Sequence, residues 1–151
     1  RPFLLELQAL TVPSKFGIPQ RIISGVDHKQ VALIAAMLEK YLHIKLSTHD
    51  IFFKVSGGFK VKESSIDLGI ALALLSSYLQ KPLPEKSIAL GELSLTGTIK
   101  PINQFSLHLN EALKFGFKTF LLAANQTPDK IQSTSTHPLK NVYDLLRVFE
   151  G

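Results

Sequence analysis

The segment over residues 66–79, IDLGIALALLSSYL, constrains the fold more than any other part of the chain. A helix with this sequence is apolar on nearly every side, and such a helix has to be covered on all sides. We therefore predict that it is the most buried element, with other layers packed around it. The chain has 151 residues, which is enough for one unit of this kind, since a chain of that length buries about two thirds of its unfolded surface.

Strand-like and helix-like segments alternate around this helix. Patterns of apolar residues predict strands over residues 3–10, 21–24, 50–58, 87–101 and 118–124, the fourth of these as a strand or hairpin, and further helices over residues 28–42, 103–115 and 142–149. This order predicts the α/β class, or interleaved α+β, with a mixed sheet covered by helices. We see no internal linker, so residues 1–151 are interpreted as a single domain.

Local signals mark several of the boundaries. Asp27 stands where the N-cap of the helix over residues 28–42 should be, and Asn141 followed by Asp144 predicts the start of the last helix. Gly97 is predicted to lie near the turn of a hairpin, and Gly116 after the end of the third helix. Residues 125–138 are predicted to be a polar loop.

Composition excludes several classes of function. There is no cysteine, which excludes disulfides, thiolate catalysis and cysteine-based metal sites. The histidines are scattered and form no pair at ligand spacing, so no metal site is expected: His28, His43, His49, His108 and His137. No phosphate-binding glycine motif opens a helix, so we expect no nucleotide site here.

The chain has no apolar run of membrane-spanning length and no signal-peptide pattern, so we predict a cytoplasmic protein without a membrane partner. It starts at Arg1 and enters a predicted strand at once. We interpret this abrupt start as that of a fragment of a longer protein.

Two serines precede the buried helix, and their role is open at this point. Ser64 to Asp67 has the pattern of a capping box, in which Ser64 accepts from the first turn and Asp67 reaches back. A serine in this position can also be a nucleophile. The local sequence favours capping.

Basic residues exceed acidic ones and give a net charge of +5, which is compatible with a polyanionic partner without indicating one by itself. Lys15 and Arg21 flank a loop that could reach a phosphate backbone. Lys60 and Lys62 lie two apart on a strand-like segment and should share a face. Phosphate contact and a merely solvated surface both remain open for these residues.

Three quoted stretches, KVKESSIDLGIALALLSS, KPLPEKSIALGELSLTGTIKPI and LNEALKFGFKTFLLAAN, together carry a family resemblance. They resemble the C-terminal Lon-protease-like domain of the bacterial RadA (Sms) family of DNA repair proteins. The opening LLELQAL and the stretch PQRIISGVDHKQVALIAAML are also similar, so the resemblance spans nearly the whole chain. It implies a ribosomal protein S5 domain 2-like fold.

The resemblance also implies a whole protein with a zinc finger and a RecA-like ATPase ahead of this domain. ATP, Mg²⁺ and Zn²⁺ are then expected in those domains, and no cofactor is expected in this one. The family is thought to act in recombinational DNA repair by branch migration, as a hexameric ring. This domain is then expected to be a scaffold that contacts single-stranded or branched DNA.

Lon proteases use a serine nucleophile with a lysine base, and the resemblance locates both positions. Counted without gaps from Gly91, the serine position falls on Ser65 and the lysine position on His108. Asp67 replaces a glycine near the serine, where its carboxylate would repel a developing oxyanion. We therefore expect no catalysis. The alternatives are a serine peptidase that uses Ser65 with His108, and a domain that only assembles.

Overall fold

The structure of the chain is a computed structural model that describes residues 4–57, 63–128 and 134–150. The strands are β1 (Glu6–Pro13), β2 (Arg21–Ser24), β3 (His49–Ser56), β4 (Ser87–Leu90), β5 (Glu92–Leu93), β6 (Ile99–Lys100), β7 (Thr119–Ala123) and β8 (Ser135–Leu139). The α-helices are α1 (His28–Leu42), α2 (Asp67–Leu79) and α3 (Phe105–Lys114), and short 3₁₀ helices cover Leu46–Thr48, Ser64–Ile66, Ala124–Gln126 and Val142–Phe149.

Helix α2 is the centre of the molecule, which confirms the prediction from its sequence. Its buried residues are Asp67, Leu68, Ile70, Ala71, Leu72, Ala73, Leu74 and Leu75. It packs against α1, β1, β4 and β5. A Cβ on Gly69 would lie 2.7 Å from Cδ1 of Leu7, so the glycine lets β1 approach closely. Each fully buried leucine of this helix contributes about 1.5–3 kcal/mol of hydrophobic stabilisation.

The first sheet has the strand order β1-β3-β2. Strand β1 runs antiparallel to β3, and β2 runs parallel to it. The inward residues Ile51, Phe53 and Val55 alternate with outward ones, as expected of a sheet covered on one face. The amide of Thr11 donates to Oγ of Ser77 over 2.9 Å and ties β1 to α2.

The second sheet has the order β4-β7-β8, and all three strands are parallel. The central strand β7 is buried along its whole length, as a covered parallel strand should be. A separate apolar cluster joins this sheet to α3, with Leu109 and Ala112 of the helix packed near Phe120 and Leu122.

Strands β5 and β6 form a small ribbon whose turn contains Gly97, at φ 88°. The final 3₁₀ helix is capped by Asn141, whose side chain accepts from the amide of Tyr143, while Asp144 accepts from the amide of Asn141. The predicted cap and turn are therefore confirmed. Asp27 also caps α1 as predicted, since its carboxylate accepts from the amide of Lys29.

The predicted class is confirmed: the fold is a mixed α/β arrangement of sheets flanked by helices. Several element boundaries shift slightly, and two regions differ more. Strand β1 continues to Pro13 instead of ending at residue 10, and part of the predicted loop 125–138 is strand β8. Its sequence STHPL is polar and contains Pro138, a composition that is tolerated because β8 is an edge strand.

Candidate functional site

The start of α2 is held against the link between β4 and β5. The amide of Leu68 donates to the carbonyl of Gly91 over 3.1 Å, and the amide of Gly91 donates to the carbonyl of Ser65 over 3.4 Å. A Cβ on Gly91 would lie 3.0 Å from Cδ2 of Leu68 and 3.2 Å from Cγ2 of Ile99, so a larger residue would push its neighbours. These contacts fix the backbone of Ser65.

The predicted capping box at Ser64 is wrong. Oγ of Ser64 donates to Oε2 of Glu92 over 2.8 Å, and the residue before α2 is Ile66, which provides no side-chain cap. The amide of Leu68, in the first turn, donates its hydrogen bond to the carbonyl of Gly91. Partners from the neighbouring strand link therefore replace the local cap.

Asp67 is 8% exposed, and both of its oxygens are occupied. Oδ1 accepts from Nε2 of Gln30 over 2.7 Å, and Oδ2 accepts from the amide of Leu93 over 3.0 Å. Burial raises the pKa of Asp67, the two hydrogen bonds oppose the rise, and the charge of Glu92 adds to it. The carboxylate thus joins α2 to α1 and β5.

A cleft of about 910 Å³ opens beside this helix start. Residues of β1, α2, β4 and α3 line it, and among the described strands both β1 and β4 are edge strands with one unpaired side. Its apolar lining includes Leu72 and Phe117, and its ionisable lining residues are Glu6, Glu63, Lys86, His108 and Glu111. A concave apolar surface with a few polar groups is the usual form of a binding site.

Ser65 and His108 both line this cleft, so the structure brings the two predicted dyad positions to one place. No hydrogen bond joins their side chains within the described part of the chain, where every hydrogen bond made by these two residues involves backbone atoms. A base has to lie within about 3 Å of the proton that it removes. The pair therefore stands apart from the arrangement that activates a serine.

Asp67 is not among the residues that line the cleft. Its oxygens point to Gln30 and Leu93 rather than toward Ser65. The repulsion of an oxyanion by this carboxylate therefore stays a prediction, without support from the geometry.

Lys15 and Arg21 stand at the two ends of the loop between β1 and β2, as predicted. Lys15 is exposed, whereas Arg21 is half-buried and its Nη2 donates to the carbonyl of Leu46 over 3.0 Å. The pKa of Glu39 is lowered mainly by hydrogen bonds from Ser47, and the charges of Arg21 and Lys45 lower it further. Lys45 therefore lies, like Arg21, within reach of Glu39.

Lys60 and Lys62 lie outside the described residues, so their predicted shared face stays a prediction.

Sequence reasoning missed two neighbours of Lys15. Phe16 is 88% exposed and Ile18 is 90% exposed, although apolar residues of this size are usually buried. The glycine between them, with prolines on both sides of the stretch, was the only signal that they lie in a loop.

Within the described ranges, no three histidine, aspartate or glutamate side chains come together in a way that could hold a metal ion. None of the described helices is both long enough and apolar enough to cross a membrane.

Comparison with known proteins identifies relatives over nearly the whole chain. The family model described as "Subunit ChlI of Mg-chelatase" matches residues 16–126. Proteins named DNA repair protein RadA are also similar. The one from Synechocystis sp. is 36% identical over 148 residues, which is 98% of this chain and 29% of the relative. The one from Streptococcus pneumoniae is 38% identical over 154 residues, 99% of this chain and 36% of the relative.

The chain spans about a third of the length of these relatives, and it fits a C-terminal region of RadA. The resemblance read from the quoted stretches is therefore confirmed. The match to the ChlI model is consistent with a Lon-like α/β fold.

Proposed function

The chain belongs to the family described as subunit ChlI of Mg-chelatase, and from this membership and its similarity to proteins named DNA repair protein RadA we propose that it serves DNA repair. The similarity over 98% of the chain to one such protein carries the proposal. The domain is a non-proteolytic Lon-like scaffold that contacts DNA, within a RadA-type protein that drives branch migration in recombinational repair at the expense of ATP.

In this proposal the whole protein works in the cytoplasm as a homo-oligomer, a hexameric ring. ATP, Mg²⁺ and Zn²⁺ act in domains outside this chain, and no cofactor acts in this one. No hydrogen bond joins the described side chains of Ser65 and His108, and this supports a role without proteolysis, because an unactivated hydroxyl is a weak nucleophile.

The proposed DNA contact rests on cations at the loop between β1 and β2. Lys15 is exposed in this loop, Arg21 follows it, and exposed Lys45 lies with Arg21 around Glu39. Cations of this kind hold phosphates. Lys60 and Lys62 are proposed as further phosphate contacts. Each phosphate that a cation neutralises releases counterions, so the affinity falls steeply as salt is added.

The scaffold role is supported by the outer face of the first sheet. The register places Leu10 opposite Phe52, and Phe52 opposite Ile22, so an apolar row crosses all three strands. Leu10 is 55% exposed and Ile22 is 57% exposed. Exposed apolar patches of this kind mark contact surfaces. The same row favours the alternative in which the domain only assembles.

Gel retardation on single-stranded and branched DNA tests the DNA contact. We expect retardation at low salt, lost as salt rises, and weakened in Lys15→Ala. Lys114→Ala removes another exposed lysine, from α3, and should bind normally. Light scattering in parallel reports the assembly. Assembly without retardation at low salt would leave only the scaffold role.

A serine peptidase is the second candidate, because Ser65 and His108 line one cleft. A fluorophosphonate probe reacts with activated serines and separates the two functions. We expect no labelling. Labelling that is lost in Ser65→Ala would contradict the non-proteolytic role.

A further inference from the structure

The loop between β1 and β2 carries the most exposed large apolar side chains of the described residues, Phe16 and Ile18. We call residues 14–20 the tip. Phe16 is 88% exposed and Ile18 is 90% exposed, so neither packs on the protein's own core. Two neighbouring apolar side chains held in water are unfavourable unless a partner covers them.

The base of the tip is well anchored. The amide of Ser14 donates to the carbonyl of Thr48 over 3.0 Å, and the amide of Ile51 donates to the carbonyl of Gln20 over 2.8 Å. The amide of Gln20 donates to Oδ1 of Asp50 over 2.7 Å. These bonds fix one end of the tip to the 3₁₀ helix before β3 and the other end to β3, so the apolar side chains project from a fixed base.

Gly17 separates the two side chains and adopts φ 58°, with no other atom within 4 Å of a Cβ built on it. The left-handed backbone at this residue turns the chain sharply between Phe16 and Ile18. The tip is therefore a narrow projection with open space around it.

Three cations lie at or beside the tip: Lys15 lies within it, Arg21 follows it, and Lys45 and Arg21 both act on Glu39. Two carboxylates are also near, since Asp50 accepts from the amide of Gln20 and Glu39 accepts from the amide of Ser47. Among these residues the cations outnumber the anions by three to two. An aromatic ring flanked by cations suits a ligand with flat apolar faces joined by anionic groups, which is the chemistry of a nucleic acid with unstacked bases.

We propose that the tip reads unpaired DNA: Phe16 stacks on an unstacked base, Ile18 packs beside it, and Lys15 and Arg21 hold the flanking phosphates. This inference rests on the proposed DNA contact, and it adds that the contact distinguishes unpaired from paired DNA. Phosphate contacts alone do not distinguish paired from unpaired DNA, whereas a base has to leave its stack to reach Phe16. The tip thereby gives the domain a preference for single-stranded and branched DNA.

A second copy of the chain is the competing partner for the tip. Lys15 is the one charged residue of the tip, so a symmetric contact between two tips would bring the Lys15 side chains of both copies together. Like charges in contact oppose such a pairing. The charge of the tip itself therefore favours DNA.

Tryptophan fluorescence tests the stacking directly, because the chain has no tryptophan of its own. Phe16→Trp places one at the tip, and Phe115→Trp places one at a comparably exposed phenylalanine, 65% exposed, after α3. We expect single-stranded DNA and a branched duplex with unpaired bases to quench the first variant strongly. Fully paired duplex should quench it weakly, and the control should respond to none of them.

An affinity measurement on a second variant completes the test. Phe16→Ser with Ile18→Ser should weaken binding to single-stranded DNA about tenfold while leaving the salt dependence unchanged, since the cations remain. Leu95→Ser, at a residue 63% exposed in the turn between β5 and β6, should leave binding unchanged.

Each other outcome overturns the inference in a distinguishable way. Normal retardation of DNA without quenching would leave the DNA contact standing and remove the tip from it. A fluorescence change that depends on protein concentration without DNA would assign the tip to a second copy. No DNA binding by the unaltered chain would overturn the proposed contact and the tip together.

Discussion

The cleft and the tip lie at opposite ends of strand β1. Glu6 and Leu7, at the start of the strand, line the cleft, whereas the tip follows Pro13 at its end. The cleft holds the residue types that chemistry needs, a serine and a histidine, but no hydrogen bond joins them. The tip holds residue types usually found in a core, and it exposes them.

This difference separates the requirements of catalysis from those of binding. Catalysis needs polar groups that hydrogen-bond to one another and are available to a substrate. In the cleft region the most buried carboxylate, Asp67, instead accepts hydrogen bonds from Gln30 and Leu93 that hold the fold together. Binding needs exposed groups on a rigid base, and the tip meets both conditions. The proposed function of the domain therefore depends on its surface.

The largest expected effect tests the packing of the sheet that carries the tip, at the end of β2 that lies away from it. Gly25 follows β2 at φ 81°, and a Cβ there would overlap the carbonyl oxygen of Val55. Gly25→Ala should lower the free energy of unfolding by about 3 kcal/mol, from left-handed backbone strain and the overlap together. Urea denaturation followed by circular dichroism measures the loss.

Gly17→Ala is the matched control for Gly25→Ala, at a glycine of similar φ with open space around it. Its loss should be about 1 kcal/mol, from backbone strain alone. Equal losses in the two variants would show that the sheet around Gly25 is as open as the tip, and the contrast between a packed sheet and an open tip would fail.

The next effect tests the structural role of Asp67 in the cleft region. Asp67→Ala removes the acceptor of the Leu93 amide and of the Gln30 side chain, and it should cost about 2 kcal/mol because a buried donor is left unpaired. Urea denaturation again gives the value. Ser64→Ala, which loses only an exposed bond to Glu92, should change stability by less than about 0.5 kcal/mol.

The parts of the fold that could be predicted are those with local causes. The apolar pattern of α2 and the cap at Asp27 are properties of neighbouring residues, and both are confirmed. Strand β8 was missed because its polar sequence is stabilised by pairing with β7, which the sequence of β8 itself does not reveal.

The candidate site likewise has parts that the sequence predicts and parts that it does not. The resemblance predicted that Ser65 and His108 occupy corresponding dyad positions, and both line the cleft. The bonds of Asp67 could not be predicted, because its partners Leu93 and Gln30 lie 26 and 37 residues away along the chain. The exposure of Phe16 could not be predicted either, since an apolar residue in a loop can fold inward.

A smaller effect separates the two cations that border the tip. Arg21→Ala should lower the free energy of unfolding by about 1 kcal/mol, because the guanidinium donates to the carbonyl of Leu46. Lys15→Ala should leave stability nearly unchanged, since Lys15 is exposed. Both should reduce the salt dependence of DNA binding, by about one unit in the logarithmic slope for each phosphate that the variant no longer holds. A stability loss without a change in slope would make Arg21 a structural residue only.

The smallest expected effect is the pH dependence that Asp67 adds to stability, because its buried environment and its two hydrogen bonds shift its pKa in opposite directions. Burial prevails and raises the pKa above the ordinary value of 3.8. The folded state therefore binds the proton more tightly than the unfolded state. The resulting stabilisation is complete below pH 3.8 and is lost as pH rises through the folded pKa.

Asp67→Asn has no proton to lose. The parent chain should therefore lose unfolding free energy relative to this variant as pH rises through that window. Urea titrations of both proteins across the window measure it. A difference that shifts in favour of the parent chain would mean that the hydrogen bonds from Leu93 and Gln30 outweigh burial, and the carboxylate would then be a stabilised anion at the start of α2.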